Sequence, residues 1–364
     1  MKATQIIFIG GFLGAGKTTL LWEASQRLIK KGLHTGLITN DQAPELVDTV
    51  LLSQKGLKVA EVSGSCFCCN FNGLTDAIGR VSAEAVTDVI IAEPVGSCTD
   101  LSATILQPLK KYWNSELTVA PLSVLADPAR LLPVLDGTNA GLHNDAAYIF
   151  HKQLEESEII LITKTDTLPP DAVTALVERT RQAFPFATVL PVNAATGTGV
   201  DEWLDEVLTR TDAGTRIVDV DYDVYAHGEA VLGWLNGTVE LKSEAGDWDA
   251  FTYDLLTDLA NRFDTAGYAV GHVKAILENG NRYVVGNLTG KRDTLSLRES
   301  AGTGNQAKLT LNARVETSPE KLDSLVRDAL HVSTRNRYDS VISAWRCLQP
   351  GRPNPTYRFT SVEK

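Results

Sequence analysis

The chain has 364 residues, of which 43% are hydrophobic and 22% are charged, a balance typical of a folded protein with two domains. This composition excludes a disordered, collagen-like or coiled-coil chain. Acidic residues outnumber basic ones by 45 to 34, and the resulting net charge of −11 disfavours nucleic acid as the main partner. No segment approaches the ~20 consecutive apolar residues of a membrane helix, and no cleavage site follows the first apolar run. We therefore expect a cytoplasmic protein that does not bind membranes.

Residues 1–210 alternate short apolar runs with helical patterns. The predicted strands are Gln5–Gly10, His34–Thr39, Lys58–Val62, Asp88–Ala92, Leu117–Leu125, Ile159–Thr163 and Thr188–Val192. The clearest helical patterns between them are Thr18–Lys31, Ala172–Ala183 and Asp201–Leu208. Strands that are apolar almost throughout, alternating with helices, predict an α/β fold with a doubly wound, mostly parallel sheet. We assign residues 1–211 to this domain.

The pattern changes after the polar segment 211–215. Apolar and polar residues alternate near Leu235–Leu241 and Lys308–Val315, which predicts a sheet with one solvated face and hence antiparallel pairing. Two amphipathic helical stripes accompany these strands, one from Trp248 to Phe263 and one that follows the helix start at Ser318-Pro319. Residues 216–330 are therefore predicted to form a smaller α+β domain of ferredoxin-like type. The remaining residues, 331–364, hold six basic and two acidic side chains and are predicted to be a basic tail that packs on the acidic body.

The first strand is followed by a phosphate-binding motif. Gly11–Thr18 fits the pattern G-x-x-x-x-G-K-[ST] and lies between a strand and a helix, as the mechanism requires. Backbone N–H groups of such a loop surround a phosphate, and the helix N-terminus adds its positive dipole end. Lys17 is expected to reach the β and γ phosphates, and the Thr18 hydroxyl to bind Mg²⁺. The predicted nucleotide-binding residues are Gly11, Gly14, Ala15, Gly16, Lys17, Thr18 and Thr19.

Two later segments favour guanine as the base. Thr163-Lys164-Thr165-Asp166 follows a strand and resembles the Asn-Lys-x-Asp segment of P-loop GTPases, with threonine in place of asparagine. The Asp166 carboxylate would accept hydrogen bonds from the guanine N1–H and exocyclic amine, while the Lys164 stem lies over the ring. Asn193 and Ala194 follow the next strand, where such proteins place a backbone N–H near guanine O6. Together these segments favour GTP and GDP over the adenine nucleotides.

Acidic residues follow two further strands. Glu93 ends the run Asp88–Ala92 and precedes Gly96, an arrangement that suits the Mg²⁺ and γ-phosphate side of a nucleotide site. The Gly96 N–H is expected to meet the γ-phosphate. Asp41 is a second candidate for Mg²⁺ or its water, with weaker support than Glu93. Lys17, Glu93 and Asp41 are therefore the candidate catalytic residues.

The cysteines indicate metal chemistry. Three of the five, Cys66, Cys68 and Cys69, lie within four residues, a density that favours a soft transition metal over a disulfide framework or incidental packing. All three thiols can share one ion only if the chain turns at Cys68–Cys69, and Asn70 and Asn72-Gly73 favour a turn there. Cys98 lies two residues after Gly96, on the loop after the next strand, and is predicted to join the same site. The six histidines are scattered along the sequence.

Together these motifs resemble the CobW/HypB/UreG family of P-loop GTPases, over about 210 residues. The resemblance rests on Gly10–Thr19, Cys66–Cys69, Glu93-x-x-Gly96 and Thr163–Asp166, and the Cys-x-Cys-Cys cluster points to the CobW-like branch. It implies a GTPase that delivers a metal, or assists metal insertion, to a client metalloenzyme. The metal would be Zn²⁺ in preference to Co²⁺ or Fe²⁺, and relatives often dimerise when loaded with nucleotide or metal. HypB-like relatives also place a cysteine shortly after Glu-x-x-Gly, which supports Cys98 by analogy.

Two other functions are compatible with the same residues. A P-loop kinase for a small molecule would share the phosphate loop, but it leaves the cysteine cluster unexplained. A nucleotide-dependent assembly factor would use the cysteines as a structural zinc site, with metal affinity independent of nucleotide.

Overall fold

The computed structural model describes residues 3–42, 46–83, 87–139, 141–290 and 295–363. The chain divides into two compact units. The first contains residues 1–42, 56–228 and 352–364, and the second contains residues 43–55 and 229–351.

The helices and strands follow one another in chain order. The first part of the chain forms β1 (Thr4–Gly11), α1 (Lys17–Lys30), β2 (Thr35–Asn40), α2 (Val47–Gln54), β3 (Val59–Val62), α3 (Phe71–Ser82), β4 (Val89–Glu93), α4 (Gln107–Tyr112), β5 (Leu117–Val119), β6 (Ser123–Ala126), α5 (Pro128–Leu135), α6 (Asn144–Glu156), β7 (Ile159–Ile162), α7 (Pro170–Ala183), β8 (Thr188–Pro191), α8 (Val200–Thr209) and α9 (Tyr222–Ala230). The second part forms β9 (Gly233–Asp247), α10 (Trp248–Ala266), β10 (Val270–Asn279), β11 (Arg282–Leu288), β12 (Ser296–Ser300), β13 (Thr303–Val315), α11 (Pro319–Thr334) and β14 (Asp339–Leu348).

The first unit is built around a parallel sheet. Among the described residues its strand order is β3-β2-β4-β1-β6-β7-β8, with β5 also paired to β1, and the pairings are parallel. Ile6–Ile9 on β1 are fully buried, as expected for a strand covered on both faces. The predicted doubly wound α/β fold is confirmed. Because the strands are parallel, the loops that follow β1, β2, β3 and β4 all lie at one edge of the sheet.

The predicted strand Leu117–Leu125 is two strands rather than one. β5 pairs with β1 at Thr4–Ile6, whereas β6 pairs with it at Ile9–Gly11. The interruption contains Pro121, which has no N–H to donate to a strand ladder. The first strand thus changes neighbour along its length.

The second unit is an antiparallel sheet with helices, as predicted. Its strand order among the described residues is β12-β11-β10-β13-β9-β14. Four of these strands and two helices follow one another as β9, α10, β10, β13, α11 and β14, with β13 between β9 and β10, which is the split βαβ arrangement of ferredoxin-like domains. The helical stripe predicted from Trp248 to Phe263 is buried in the core of this unit. Ser318 caps α11 by accepting a hydrogen bond from the Lys321 N–H, as the Ser-Pro start predicted.

The segments at the ends of the predicted second domain are placed differently from expectation. Residues 216–228 belong to the first unit, and residues 339–348 are strand β14 of the second sheet rather than tail. Only residues 352–363 run as an extended segment on the first unit. The sequence pattern of residues 339–348 could not distinguish an edge strand from a tail. Apolar and polar residues alternate little along β14, and the strand is largely exposed.

No helix within the described residues is long and apolar enough to span a membrane.

Candidate nucleotide and metal site

The phosphate loop connects β1 to α1 and is held by its own lysine. The loop turns at glycines with positive φ, Gly11, Gly14 and Gly16, and Gly16 stands at the N-terminus of α1. Lys17 is 7% exposed, and its Nζ donates hydrogen bonds to the carbonyls of Gly11 at 2.8 Å and Phe12 at 3.4 Å. The ammonium group therefore lies over the loop, where it can meet a bound phosphate.

The acidic residues predicted for this site lie at the ends of neighbouring strands. Glu93 ends β4, is 7% exposed, and its Oε1 lies 3.8 Å from Lys17 Nζ. Asp41 follows β2 directly and is 5% exposed, and its N–H donates to the carbonyl of Val62 at the end of β3. The sheet places β4 between β1 and β2, so both acids are at the same sheet edge as the phosphate loop.

Gly96 packs directly against the phosphate loop. A Cβ added at this position would lie 2.8 Å from Leu13 Cδ2 and 3.1 Å from Lys17 Nζ. Only a residue without a side chain allows the backbone to approach this closely. The geometry places the Gly96 backbone beside the lysine that is expected to bind the γ-phosphate.

The residues predicted to bind guanine follow β7 and β8. Asp166 is exposed in a 3₁₀ turn, Thr165–Thr167, which begins after Lys164 with φ 51°. Asn193 accepts hydrogen bonds from the N–H groups of Ala195 and Thr196, a local turn that fixes the loop containing Ala194. Thr163 is buried, and its hydroxyl donates to the carbonyl of Ala15 at 2.8 Å. The threonine that replaces asparagine therefore ties this segment to the phosphate loop.

The three clustered cysteines share one site because the chain turns as predicted. The N–H groups of Cys69 and Asn70 donate to the carbonyl of Cys66, which closes a tight turn. The Sγ atoms of Cys66 and Cys68 are 3.0 Å apart, and those of Cys68 and Cys69 are 3.7 Å apart. Cys66 and Cys68 are buried, whereas Cys69 is half-buried.

Cys98 lies beside this cluster. It is 1% exposed, and its thiol influences the pKa values of Cys66 and Cys68. The three sulfurs that lie within 4.8 Å of one another are those of Cys66, Cys68 and Cys69. The pKa of Cys66 lies well below its usual value because the thiols of Cys68, Cys69 and Cys98 donate to its sulfur. The pKa of Cys68 lies well above its usual value because its proton is engaged by Cys66. One sulfur in the cluster is thus favoured as a thiolate, the form that binds metal.

The fifth cysteine is not part of the cluster. Cys347 is in strand β14 of the second unit, and its Sγ donates to the carbonyl of Pro319. Its burial raises the pKa of its thiol to about 11, so it is expected to remain protonated and inert.

Two amide side chains that the sequence analysis did not single out position this site. Asn40 donates from Nδ2 to the carbonyls of Val62 and Ser65 and accepts from the Phe67 N–H, each at 2.8 Å. Gln153 of α6 donates from Nε2 to the carbonyls of Gly96 at 3.0 Å and Cys98 at 2.8 Å. The contacts of Asn40 could have been suspected from the sequence, because it is a polar residue at the end of a buried strand. Nothing in the sequence near Gln153 indicated its contacts with Gly96 and Cys98.

The C-terminal segment crosses the cysteine loop. The Asn354 N–H donates to Cys69 Sγ at 3.1 Å, and the Thr356 N–H donates to the carbonyl of Cys68 at 2.8 Å. Arg358 Nε donates to Asp100 Oδ2 at 2.7 Å. Residues 352–363, the last part of the predicted tail, therefore pack on the first unit and cover the edge of the cluster.

A parallel sheet with a glycine-rich phosphate loop after its first strand defines a P-loop nucleotide-binding protein. The profile of the CobW/HypB/UreG nucleotide-binding domain matches residues 5–191. This chain belongs to the CobW/HypB/UreG family and is a P-loop GTPase.

Three solved structures resemble the chain at low identity. A zinc-bound YjiA GTPase from E. coli is 17% identical, covering 91% of this chain and 99% of that one, with a TM-score of 0.32. HypB from Helicobacter pylori in complex with nickel is also 17% identical, covering 56% of this chain and 86% of that one, with a TM-score of 0.40. HypB from Archaeoglobus fulgidus covers 56% and 87% at 17% identity, with a TM-score of 0.38.

Proposed function

We propose that this GTPase is a metallochaperone, which binds a transition metal at Cys66, Cys68, Cys69 and Cys98 and passes it to a client metalloenzyme under the control of GTP. The observation that carries the proposal is the short segment from Gly96 to Cys98. At one end its backbone packs against Lys17 of the phosphate loop, and at the other its thiol lies close enough to the cysteine cluster to lower the pKa of Cys66.

The donor set fits a soft or borderline metal ion. A tetrahedral Zn²⁺ with Zn–S distances of ~2.3 Å holds its sulfurs about 3.8 Å apart. The Cys68–Cys69 separation of 3.7 Å already matches this value, and the Cys66–Cys68 separation of 3.0 Å needs to open only slightly. Thiolate ligands favour Zn²⁺, with Co²⁺ and Fe²⁺ as the other cargo candidates.

The nucleotide side of the site has a role for each predicted residue. Lys17 neutralises the phosphate charge that spreads during hydrolysis, and the Thr18 hydroxyl, with Glu93 and Asp41, would hold Mg²⁺ and order the attacking water. When bound, Mg²⁺ supplies charge neutralisation at the β and γ phosphates. The base would be recognised by Lys164, Asp166 and the loop Asn193–Ala194. Burial of Lys17 and Glu93 strengthens these interactions, since water screens them less.

Nucleotide and metal would be coupled through the 96–98 segment. A γ-phosphate that accepts a hydrogen bond from the Gly96 N–H would move Cys98, and with it one ligand of the metal. By thermodynamic linkage, the metal would change the affinity for GTP by the same factor. Hydrolysis of GTP would then lower the affinity for the metal ion, so that the ion can pass to the client. A homodimer formed on nucleotide or metal loading would suit transfer to a client.

The test is a titration of Zn²⁺ and Co²⁺ into the parent protein and the variant Cys98→Ala, each with GDP and with a non-hydrolysable GTP analogue. We expect weaker Co²⁺ binding and less thiolate-to-cobalt absorption in the variant, and different metal affinities in the two nucleotide states of the parent. Cys347→Ala is the matched control, since this thiol lies outside the cluster. Unchanged binding in Cys98→Ala would exclude it as a ligand.

A structural zinc site is the second candidate. The burial of Cys66 and Cys68 and the contact of Asn354 with Cys69 favour a closed site, as structural zinc sites are. The same titration separates the two functions. Metal affinity that is equal with GDP and with the GTP analogue would favour the structural role.

A further inference from the structure

Two of the scattered histidines meet in the folded chain. His143 lies immediately before α6 and His227 lies near the end of α9, 84 positions later, yet their ring centroids are 5.5 Å apart. Asp145, in the first turn of α6, lies between them. Its carboxylate is hydrogen-bonded to His227 Nδ1 and is 3.8 Å from His143 Nδ1. One donor atom from each of these three residues lies within 4.8 Å of the others.

The local backbone holds this arrangement. His143 caps α6 by accepting a hydrogen bond from the Asp145 N–H at its Nδ1. A Cβ added at Gly228 would lie 2.4 Å from the Asp145 carbonyl oxygen, so a glycine beside His227 allows α9 to approach the first turn of α6 this closely. Asp221, before α9, adds a second tie, since its N–H donates to the Tyr148 hydroxyl at 2.7 Å. The backbone around the three side chains is therefore held in place, and the helix cap engages one of the two ring nitrogens of His143.

We propose that His143, Asp145 and His227 form a second metal site, distinct from the cysteine cluster, for a borderline divalent ion such as Zn²⁺, Ni²⁺ or Co²⁺. Two imidazoles and one carboxylate suit these ions, whereas the thiols of the other site select softer ones. The side chains of His143 and His227 are exposed, so the ion keeps an open position for water or an exchanging ligand. Binding of the ion replaces the hydrogen bond between His227 and Asp145. The ligating nitrogen and oxygen of these two residues must then lie about 3.3 Å apart around a tetrahedral ion.

The same two helices also hold the segment that joins the nucleotide and cysteine sites. Gln153, two turns along α6, donates to the carbonyls of Gly96 and Cys98. On α9, the Tyr225 hydroxyl accepts from the Thr99 N–H at 3.3 Å, and the Tyr222 hydroxyl donates to Asp100 at 2.8 Å. An ion that clamps α6 to α9 at the histidines would therefore stiffen residues 96–100 from both sides. The site would make the nucleotide-responsive segment sensitive to the free metal concentration.

The test titrates Co²⁺ alone into the parent, His227→Gln and His143→Asn, with His151→Gln as the matched control. Asparagine retains the helix cap that His143 provides. His151 is an exposed histidine on the same helix, and its Nδ1 lies 3.3 Å from one carboxylate, that of Glu155. It therefore offers an ion one imidazole and one carboxylate, without the second imidazole of the proposed site. We expect the parent to have one class of Co²⁺-binding site whose bound ion shows ligand-field absorption without a thiolate charge-transfer band.

This class should lose at least about 100-fold in affinity in His227→Gln and in His143→Asn, because removing a ligand costs more than the 10–100-fold typical of an outer partner. It should persist in His151→Gln and in Cys66→Ser, which separates it from the proposed metallochaperone site. Equal losses in His227→Gln and His151→Gln, or no such class in the parent, would overturn the proposal.

Hydrogen exchange tests separately whether an ion that joins α6 to α9 stiffens the segment after β4. With saturating Zn²⁺, amide hydrogen exchange of residues 97–102 should be slower in the parent than in His227→Gln, although both retain the four clustered cysteines. Equal exchange in the two proteins, with the histidine site occupied in the parent, would rule out the clamp.

Discussion

The phosphate loop and the cysteine loop leave the same edge of one parallel sheet, but they are built from different groups. The phosphate loop is shaped by its backbone. Its glycines set the turn, and Lys17 and Thr163 donate to its carbonyls. The cysteine loop is also closed by backbone hydrogen bonds, to the Cys66 carbonyl, but it adds thiols that bond to one another. Thiols lose protons more readily than backbone groups do, so the groups that respond to pH are on the cysteine loop.

This difference separates the pH responses of the two loops. Metal binding requires thiolates and releases protons, so metal affinity is expected to fall as pH falls. The backbone groups that shape the phosphate loop do not titrate, so its shape is expected to depend less on pH. The thiol neighbours of Cys66, first among them Cys68, lower its pKa, so in the proposed site Cys66 is the sulfur expected to bind an ion first.

The largest effect is expected from a substitution in the phosphate loop that lowers GTP turnover. Lys17→Ala removes the ammonium group that neutralises the transferring phosphate, and GTP turnover is expected to fall by at least about 10²–10³-fold. Steady-state GTPase assays measure this loss, with Lys30→Ala, an exposed lysine at the end of the same helix, as the control. Co²⁺ binding at the thiols without nucleotide should be unchanged. A parental rate in Lys17→Ala would disprove the site assignment.

A smaller effect is expected at the base. Asp166→Asn removes the carboxylate that would accept from guanine, and charge-assisted hydrogen bonds of this kind are worth ~1.5–3 kcal/mol, so GTP affinity should fall by about 10–100-fold. Xanthosine triphosphate should gain affinity, because the new amide can donate to the xanthine O2. Fluorescent-nucleotide competition compares the two nucleotides. Asp171→Asn, an exposed acid in the first turn of α7, should change neither affinity. Equal affinity of the parent for GTP and ATP would sink this prediction.

The sequence predicted what local patterns determine. Apolar runs located the strands of the first sheet, and the phosphate loop was evident because its glycines and lysine are contiguous. The turn that gathers Cys66, Cys68 and Cys69 followed from the asparagines and glycine after them. That Cys98 lies beside the cluster could be predicted because parallel topology brings consecutive loops to one edge, and its role as a ligand stays a prediction.

Contacts between distant segments could not be predicted in this way. Helix α9 was missed, since Tyr222–Ala230 has no clear apolar stripe. The histidine site combines residues from α6 and α9, and its members are scattered in sequence. Asn354 reaches Cys69 through a backbone N–H, a group that every residue except proline offers, so no residue type marks the contact.

The cysteine loop can be loosened without touching a thiol. Asn40→Ala removes three hydrogen bonds that hold residues 62–67, and metal affinity is expected to fall about tenfold, the lower end of the effect of an outer partner. Asn261→Ala, an exposed asparagine in α10 of the second unit, is the control. Zn²⁺ competition with a chelating dye measures both. GTP affinity should change less than metal affinity in Asn40→Ala, and the reverse order would show that Asn40 serves the nucleotide side.

The smallest effect is expected where the guanine segment meets the phosphate loop. Thr163→Val keeps the shape of the side chain but removes the hydroxyl that donates to the buried Ala15 carbonyl. One unsatisfied buried acceptor costs ~1–3 kcal/mol, so urea unfolding should show a loss of stability near the lower end of that range. Thr163→Ser retains the donor and loses only a methyl group, worth ~0.8 kcal/mol. If the hydroxyl anchors the loop, Thr163→Ser should bind GTP like the parent, whereas Thr163→Val should bind it about three- to tenfold more weakly, the affinity equivalent of roughly 0.7–1.4 kcal/mol. Equal GTP affinities in the two variants would mean that the phosphate loop keeps its shape without Thr163 and that its backbone alone suffices.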